Sequence, residues 1–216
     1  GHIFSTMFVL LSLLLFTWWD EKKKILFLIG SIISIGLSLL FHELGVIAPI
    51  LIIFYKFIND NLTFKNIRLK KNYYTLLFVP IVAYLAIRYL SNSHWFSGDY
   101  NYNIIKLPFN IIGNFIGYFM SSAFGPLSLS FYESLRNISR ENILLSIIFV
   151  AIFAGIFMVF YRRFKKINIE DKKIIFLGVG FMFISLLPFL GLGNITSRYN
   201  YLVSFGFVIL FSYLTK

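Results

Sequence analysis

The chain has 216 residues, of which 58% are hydrophobic, 20% aromatic and only 13% charged. Soluble domains usually carry about a quarter charged residues, so this composition excludes an ordinary soluble enzyme and predicts an integral, multi-pass membrane protein. The net charge is +11 and there is no cysteine, which excludes disulfides and thiolate metal sites. The basic residues cluster between apolar runs, where they set membrane orientation, so we expect the lipid bilayer and no nucleic acid as a partner.

Seven apolar runs predict an all-α transmembrane helix bundle that forms a single domain over residues 1–216. A span needs about 17 or more largely apolar residues. Pro49 is expected in the first turns of its helix, where a missing N–H costs least, and Pro80 is expected to kink the fourth span. In chain order the expected spans are residues 3–19, 25–41, 44–58, 73–90, 143–161, 174–190 and 201–214.

The segment 110–130 is apolar, but Gly113, Gly117, Gly125 and Pro126 interrupt it. The spacing of Gly113 and Gly117 fits a small-residue helix-packing motif. Polar stretches at 91–108 and 131–142 flank the segment and are expected to be loops.

Membrane orientation is inferred from the positions of the basic residues. If Lys22–Lys24 are cytoplasmic and the segment 110–130 does not span, the sides alternate consistently and 15 of the 20 basic residues are cytoplasmic. If the segment spanned, the basic cluster at 162–166 would move outside, so we expect 110–130 to be re-entrant or interfacial. The cytoplasmic basic residues are those at 22–24, 56, 65, 68, 70, 71, 162, 163, 165, 166, 172, 173 and 216.

The pair His42-Glu43 is the candidate centre of a functional site, because it separates two long apolar runs. An ionisable side chain is costly against lipid, so the pair lies at the water boundary or faces a polar cavity. A simple polar helix end is the alternative interpretation. The charge count places few other charged side chains on the external side, among them Arg88, Asp99 and Arg198. Motifs of soluble enzymes are missing: there is no phosphate-binding glycine loop and no HExxH site.

Four stretches in chain order resemble a known family. They are Phe41-His42-Glu43 with Pro49 after it, the span end at Arg88-Tyr89, the turn Gly125-Pro126-Leu127-Ser128, and the run Ser197-Arg198-Tyr199-Asn200-Tyr201-Leu202. Together they resemble the polytopic GT-C superfamily of glycosyltransferases that use lipid-phosphate sugars. They are most similar to the membrane part of the transmembrane-and-tetratricopeptide O-mannosyltransferases. His42 stands where that family often has lysine.

The resemblance implies that the chain is the C-terminal part of a GT-C-like module, with the main catalytic acid upstream of Gly1. It implies hexosyl transfer from a polyprenyl- or dolichyl-phosphate donor to a protein or glycan acceptor, on the outer face of a bacterial plasma membrane. By this resemblance Glu43 and His42 are catalytic candidates: Glu43 orients the acceptor or holds a divalent cation, and His42 assists. Arg198 and Arg88 are substrate-binding candidates for the anionic phosphate, since the guanidinium fork matches phosphate oxygens. Tyr199 either stacks on the sugar or marks the interface.

Two other classes of function remain open at this point. A transporter or flippase also has polar residues and broken helices at membrane depth, although no inverted repeat is visible here. A non-catalytic membrane subunit that scaffolds a partner is the third possibility. Sequence upstream of Gly1 with one or two acidic residues in an external loop would favour the enzyme.

Overall fold

The computed structural model describes residues 1–60, 71–91, 107–142 and 167–214, with isolated positions between 144 and 165. These residues form helices joined by turns, without a β-strand among them, which confirms the all-α class. Two 3-10 turns, Glu43–Ile47 and Ser197–Tyr199, precede α3 and α9. The helices are α1 (His2–Lys22), α2 (Ile25–Phe41), α3 (Ala48–Asn59), α4 (Lys71–Leu76), α5 (Val79–Leu90), α6 (Leu107–Phe124), α7 (Leu127–Glu141), α8 (Ile169–Leu190) and α9 (Asn200–Leu214).

Three helical segments of the described residues are long and apolar enough to cross a membrane: His2–Lys22, Asn72–Leu90 and Ile169–Leu190. This is fewer than the seven expected spans. The helix Ile25–Phe41 is apolar but shorter. In the expected third span the first turns are a 3-10 turn, which leaves α3 with 12 residues. The last helix, α9, has 15 residues, and the expected span 143–161 lies largely outside the described residues.

Both prolines singled out in the sequence lie in the first turn of a helix. Pro49 occupies that position in α3, and Pro80 occupies it in α5. The helix breaks between Leu76 and Val79, so the missing N–H of Pro80 removes no intrahelical hydrogen bond. Asn72–Leu90 is therefore a broken helix, as the predicted kink at Pro80 implies.

The prediction of a loop at 131–142 was wrong, because residues 127–141 form α7. Leu129 is buried, and Tyr132 and Arg136 come after it at helical spacing on the same face and contact α6. The stretch is an amphipathic helix whose polar Tyr132 and Arg136 lie on the face that contacts α6, while the apolar Leu127, Phe131 and Ile138 are exposed.

Small residues allow the helices to approach closely. Between α1 and α2, Ser5 Oγ lies 2.8 Å from Ser38 Oγ, and Ser31 donates to the carbonyl of Ser12 at 2.8 Å. Between α8 and α9, a Cβ atom placed on Gly206 would lie 2.7 Å from the carbonyl oxygen of Gly178. Backbone-to-backbone packing of this kind is typical of helices that associate in lipid, where the hydrophobic effect does not drive helices together.

One end of the bundle, which we term the lysine end, joins α1, α3 and α4. Lys56 is buried and forms ion pairs with Asp20 at 2.5 Å and with Asp60 at 2.8 Å. The Trp19 and Tyr73 rings also meet here, with centroids 4.9 Å apart. Because the helices alternate in direction, His42, Arg88 and the 191–199 connection are gathered at the opposite end, which we term the site end.

At the site end, α6 lies along the connection between α8 and α9. Its Asn114 donates to the carbonyl of Leu190 at 2.9 Å, the Tyr118 hydroxyl accepts from the Thr196 N–H at 3.3 Å, and Ser121 accepts from Asn200 at 3.2 Å. Successive turns of α6 therefore run along the connection from one helix end to the next. Tyr132 of α7 packs its ring against Gly117 and donates to the Gly113 carbonyl at 2.6 Å, so both glycines are packing positions.

Candidate functional site

His42 ends α2 and begins the turn that leads into α3. Its backbone is extended, and its side-chain Nδ1 accepts a hydrogen bond from the Leu44 N–H at 3.1 Å. Since Nδ1 accepts, it carries no proton, and the single proton of the neutral ring belongs on Nε2. The side chain thus caps the 3-10 turn and presents Nε2 as a hydrogen-bond donor.

The surroundings of His42 favour the neutral ring. Burial, followed by the nearby His2, lowers the pKa of His42 from 6.5 to about 4, with Arg198 acting in the same direction and Glu43 opposing them. Both the capping hydrogen bond and the pKa therefore describe an uncharged imidazole at neutral pH.

Glu43 is paired with Arg88, which lies 45 residues away in sequence. The Arg88 guanidinium donates to Glu43 Oε1, and it also donates to the Tyr84 hydroxyl at 3.0 Å. The Glu43 side chain is 37% exposed and that of Arg88 is 19% exposed, so the pair lies at the surface of the bundle and not in its core. A guanidinium keeps its charge in proteins, so Arg88 is a fixed positive group at this surface.

A groove of about 860 Å³ runs between α2 and α5 and ends at this ion pair. Its walls are mainly apolar, and several of the wall residues, including Ile33, Leu40 and Ile87, are more than half exposed on the outer surface of the bundle. His42, Glu43, Tyr84, Arg88 and Ser91 supply the polar groups, and all of them lie at the site end. The groove thus has a long apolar part that opens sideways and a short charged part at one end.

Aromatic rings border the opposite side of His42. The His2 and His42 ring centroids are 3.9 Å apart, and the Tyr199 ring stacks on Phe189 at 3.8 Å. Tyr199 is only 5% exposed and also meets His2 edge-on. Arg198, one residue before it, lies close enough to His42 to contribute to its lowered pKa.

The structure therefore brings together the residues that the sequence singled out from distant segments. Glu43, His42 and Arg88 share the charged end of the groove, and Arg198 lies near His42 but does not line the groove. Tyr199 belongs to the buried ring cluster, which is a packing position and leaves little of its ring to stack on a sugar. Asp99, also expected on this side, lies outside the described residues.

Sequence reasoning missed a network that supports the loop carrying Arg198. Arg136 donates from its two terminal nitrogens to the side-chain oxygens of Asn114 and Asn110, each at 2.9 Å. The Asn114 amide in turn donates to the carbonyls of Phe189, Leu190 and Leu192 at the end of α8. Two asparagines four residues apart in an apolar helix were the available signal, since buried amides need partners.

The described residues contain no group of three or more histidine or carboxylate side chains placed to hold a metal ion. Glu43 and His42 are the carboxylate and the histidine that line the groove, and the Glu43 carboxylate accepts a hydrogen bond from Arg88. The divalent cation considered from the sequence therefore stays a prediction.

Comparisons with protein-family models, with curated proteins and with solved structures find no match to this chain. Its function is therefore inferred from the chemistry and geometry of the site.

Proposed function

We propose that the chain is the membrane part of a glycosyltransferase that transfers a sugar from a polyprenyl- or dolichyl-phosphate donor to a protein or glycan acceptor at the external membrane face. The observation that carries the proposal is the groove between α2 and α5, which is apolar along its length and ends at Arg88. A lipid phosphate has the same division into a long apolar tail and a compact anionic head.

Charge supports an anionic headgroup at this end of the groove. Arg88 donates to Glu43, and Arg198 lies close enough to His42 to act on its pKa, so two guanidinium groups are near the charged end of the groove. A guanidinium binds phosphate oxygens through two parallel N–H bonds. Arg88 is our principal phosphate ligand because it lines the groove, and Arg198 assists from its position near His42.

In the proposed reaction an acceptor hydroxyl oxygen forms a bond to the anomeric carbon of the sugar. The bond from that carbon to the lipid-phosphate oxygen breaks, and the phosphate keeps the electron pair while a base takes the hydroxyl proton. Charge develops on the phosphate, so a fixed guanidinium stabilises the transition state more than the ground state. Glu43 orients the acceptor, and His42 Nε2–H donates to the same region.

The proposed membrane arrangement has about seven spans, with α6 and α7 at the external interface. Asn110, Asn114 and Arg136 are polar groups that find their partners at the end of α8, and α6 runs along the α8–α9 connection. A helix held in this way rests on the end of the bundle, which is the arrangement expected for an interfacial segment.

A flippase for lipid-linked substrates is the second candidate, because a groove that opens sideways toward lipid also suits a lipid translocator. The two functions share headgroup binding at Arg88 and differ in the step after binding. Sugar transfer in a sealed system without net lipid translocation supports the enzyme, and translocation without transfer supports the flippase.

Headgroup selectivity tests the proposal directly. The protein is reconstituted in lipid nanodiscs, and binding of a polyprenyl phosphate is compared with binding of the uncharged polyprenol of equal length. We expect at least about tenfold tighter binding of the phosphate, equivalent to 1.4 kcal/mol, and loss of that preference in Arg88→Gln. Lys22→Gln removes one positive charge at the lysine end and serves as the matched control. Equal binding of phosphate and alcohol by the wild type would refute the proposal.

A further inference from the structure

Gly36 has an unusual position for a helical glycine in this protein. It lies in the interior of α2, where glycine is less favourable for the helix than alanine because its backbone loses more conformational freedom. A Cβ atom placed on Gly36 would meet a single neighbour within 4 Å, Pro80 Cβ at 3.9 Å. Helix packing therefore does not require glycine at this position.

Gly178 and Gly206 differ from Gly36, because a Cβ atom at either position would lie too close to the backbone of the neighbouring helix. A Cβ on Gly178 would lie 2.9 Å from the Gly206 carbonyl oxygen, and one on Gly206 would lie 2.8 Å from the Met182 backbone nitrogen. At these positions the backbones of α8 and α9 are so close that a side chain does not fit. Close helix packing requires glycine at these two positions, and it does not require glycine at Gly36.

Gly36 instead lines the groove. Pro80 and Ala83 of α5 also line it, so small or compact residues border the groove from both helices. Gly36 is six residues before His42 in the chain, which corresponds to about 9 Å along a helix axis. This distance places it beside the first part of a tail whose headgroup lies at Arg88.

We propose that Gly36 sets the width of the groove and thereby determines which lipid tails enter it, a role that rests on the proposed function. The occupant to which we commit is a lipid phosphate with a methyl-branched, isoprenoid tail. A branched tail is wider than a straight alkyl chain, so the space left by the missing side chain matters most for the branched one. One methyl group in an apolar site changes affinity by a factor of about ten to two hundred.

Three variants test this role. Gly36→Ala adds one methyl group to the groove wall, Gly36→Leu fills the groove, and Ile29→Phe adds bulk to an exposed position of α2 that does not line the groove. Binding of a polyprenyl phosphate and of a straight-chain alkyl phosphate is measured in nanodiscs, and thermal unfolding is followed for each variant in the same particles.

We expect Gly36→Ala to be at least as stable as the wild type, because alanine favours the helix and has room. The same variant should bind the polyprenyl phosphate at least about tenfold more weakly, with a smaller loss for the straight-chain phosphate. Gly36→Leu should lose both ligands, and Ile29→Phe should bind both as the wild type does.

The outcomes distinguish failure of the proposed function from failure of the proposed role of Gly36. If the wild type binds neither phosphate, the proposed function itself fails. If the wild type binds polyprenyl phosphate and Gly36→Ala and Gly36→Leu bind it equally well, the function stands and the role of Gly36 is refuted. Equal losses for both tails in Gly36→Ala would also overturn tail selection by branching.

Discussion

Glu43 and Arg88 form an ion pair at the partly exposed site end of the bundle, where a buried charge without a partner would be costly. Removing one member of such a pair leaves the other without its partner, and the partly exposed position moderates that cost. The Glu43 carboxylate already binds the Arg88 guanidinium. In the proposed function, the donor phosphate would therefore compete with Glu43 for Arg88, and its binding would free the carboxylate to contact the acceptor.

The variant Glu43→Gln tests this competition. The amide keeps the shape of the side chain and removes its charge, so we expect polyprenyl phosphate to bind as tightly as in the wild type or more tightly. Sugar transfer should fall at least about tenfold, equivalent to 1.4 kcal/mol, because the acceptor loses its charged partner. Binding and turnover are measured on the complete natural protein. Unchanged turnover in Glu43→Gln would reduce the residue to a polar helix end.

The lowered pKa of His42 predicts how stability depends on pH. The folded-state value is about 4 and the ordinary value is 6.5, so between these pH values the unfolded chain binds more protons. The stability contributed by neutral His42 is present above pH 6.5 and is lost progressively as the pH falls toward 4. Protonation also competes with the hydrogen bond from Leu44, because Nδ1 would have to give up its acceptor role if it took the proton.

The matched variant for this prediction is His42→Asn, which retains a side-chain acceptor for capping and does not titrate. Thermal unfolding in detergent is measured from pH 7 to pH 4 for both proteins. The wild type should lose more stability than the variant below pH 6.5, and His2, whose pKa is also lowered by burial, titrates in both proteins. Parallel curves would show that His42 is already charged in the folded protein or does not change its pKa on folding.

At the scale of helices, two kinds of contact hold the bundle together. Glycine and serine bring pairs of helices close, as at Gly178 with Gly206 and at Ser5 with Ser38. Polar networks connect the helices at both ends. Lys56 forms ion pairs with two aspartates at the lysine end, and Arg136 donates hydrogen bonds to two asparagines at the site end. Small residues thus bring α1 close to α2 and α8 close to α9, and polar side chains join helices at the two ends of the bundle.

Gly206→Ala is expected to destabilise the α8–α9 pair by about 1–3 kcal/mol, the usual cost of forcing extra atoms into a packed site. The added Cβ would lie 2.7 Å from the Gly178 carbonyl oxygen and 2.8 Å from the Met182 nitrogen, neither of which is a flexible side-chain end. Thermal unfolding in detergent measures the effect, and Gly36→Ala, where there is room, is the control. Equal midpoints for the two alanine variants would contradict the close approach of α8 and α9.

At the scale of the whole molecule, the two ends of the helix bundle carry different sets of charged side chains. Lysines with aspartates gather at one end, and His42, Glu43, Arg88 and Arg198 gather at the other. From the positive-inside tendency we expect the lysine end to be cytoplasmic, and in the proposed function the site at the opposite end then meets donor and acceptor on the outer side.

This orientation predicts the reactivity of introduced cysteines, and the natural chain has none to interfere. A cysteine replacing Asn168, before α8, should react only with a membrane-impermeant thiol reagent supplied from the cytoplasmic side. One replacing Asn194, in the connection between α8 and α9, should react only from outside. Labelling of the Asn168 position from outside would place the groove and its charged end on the cytoplasmic side.

Much of the helical architecture could be predicted from the sequence. The bounds of α2, the position of Pro49 at a helix start, and the gathering of His42, Glu43, Arg88 and Arg198 at one end agree with apolar run lengths and the alternation of sides. Run length reports how far a helix can extend through an apolar layer, which is why the bounds of α2 were predictable. The amphipathic helix α7 was missed because its polarity was taken for a loop.

Only the tertiary structure decided which faces of the helices meet. In a membrane both the lipid-facing and the protein-facing sides of a helix are apolar, so hydrophobic periodicity does not report its rotation. The pairing of Arg88 with Glu43, the groove beside Gly36 and the support of the α8 end by Asn114 and Arg136 all depend on those rotations. The sequence by itself therefore determined the class of the fold and the end of the bundle at which its polar residues lie. Contacts between residues tens of positions apart determined the shape of the site.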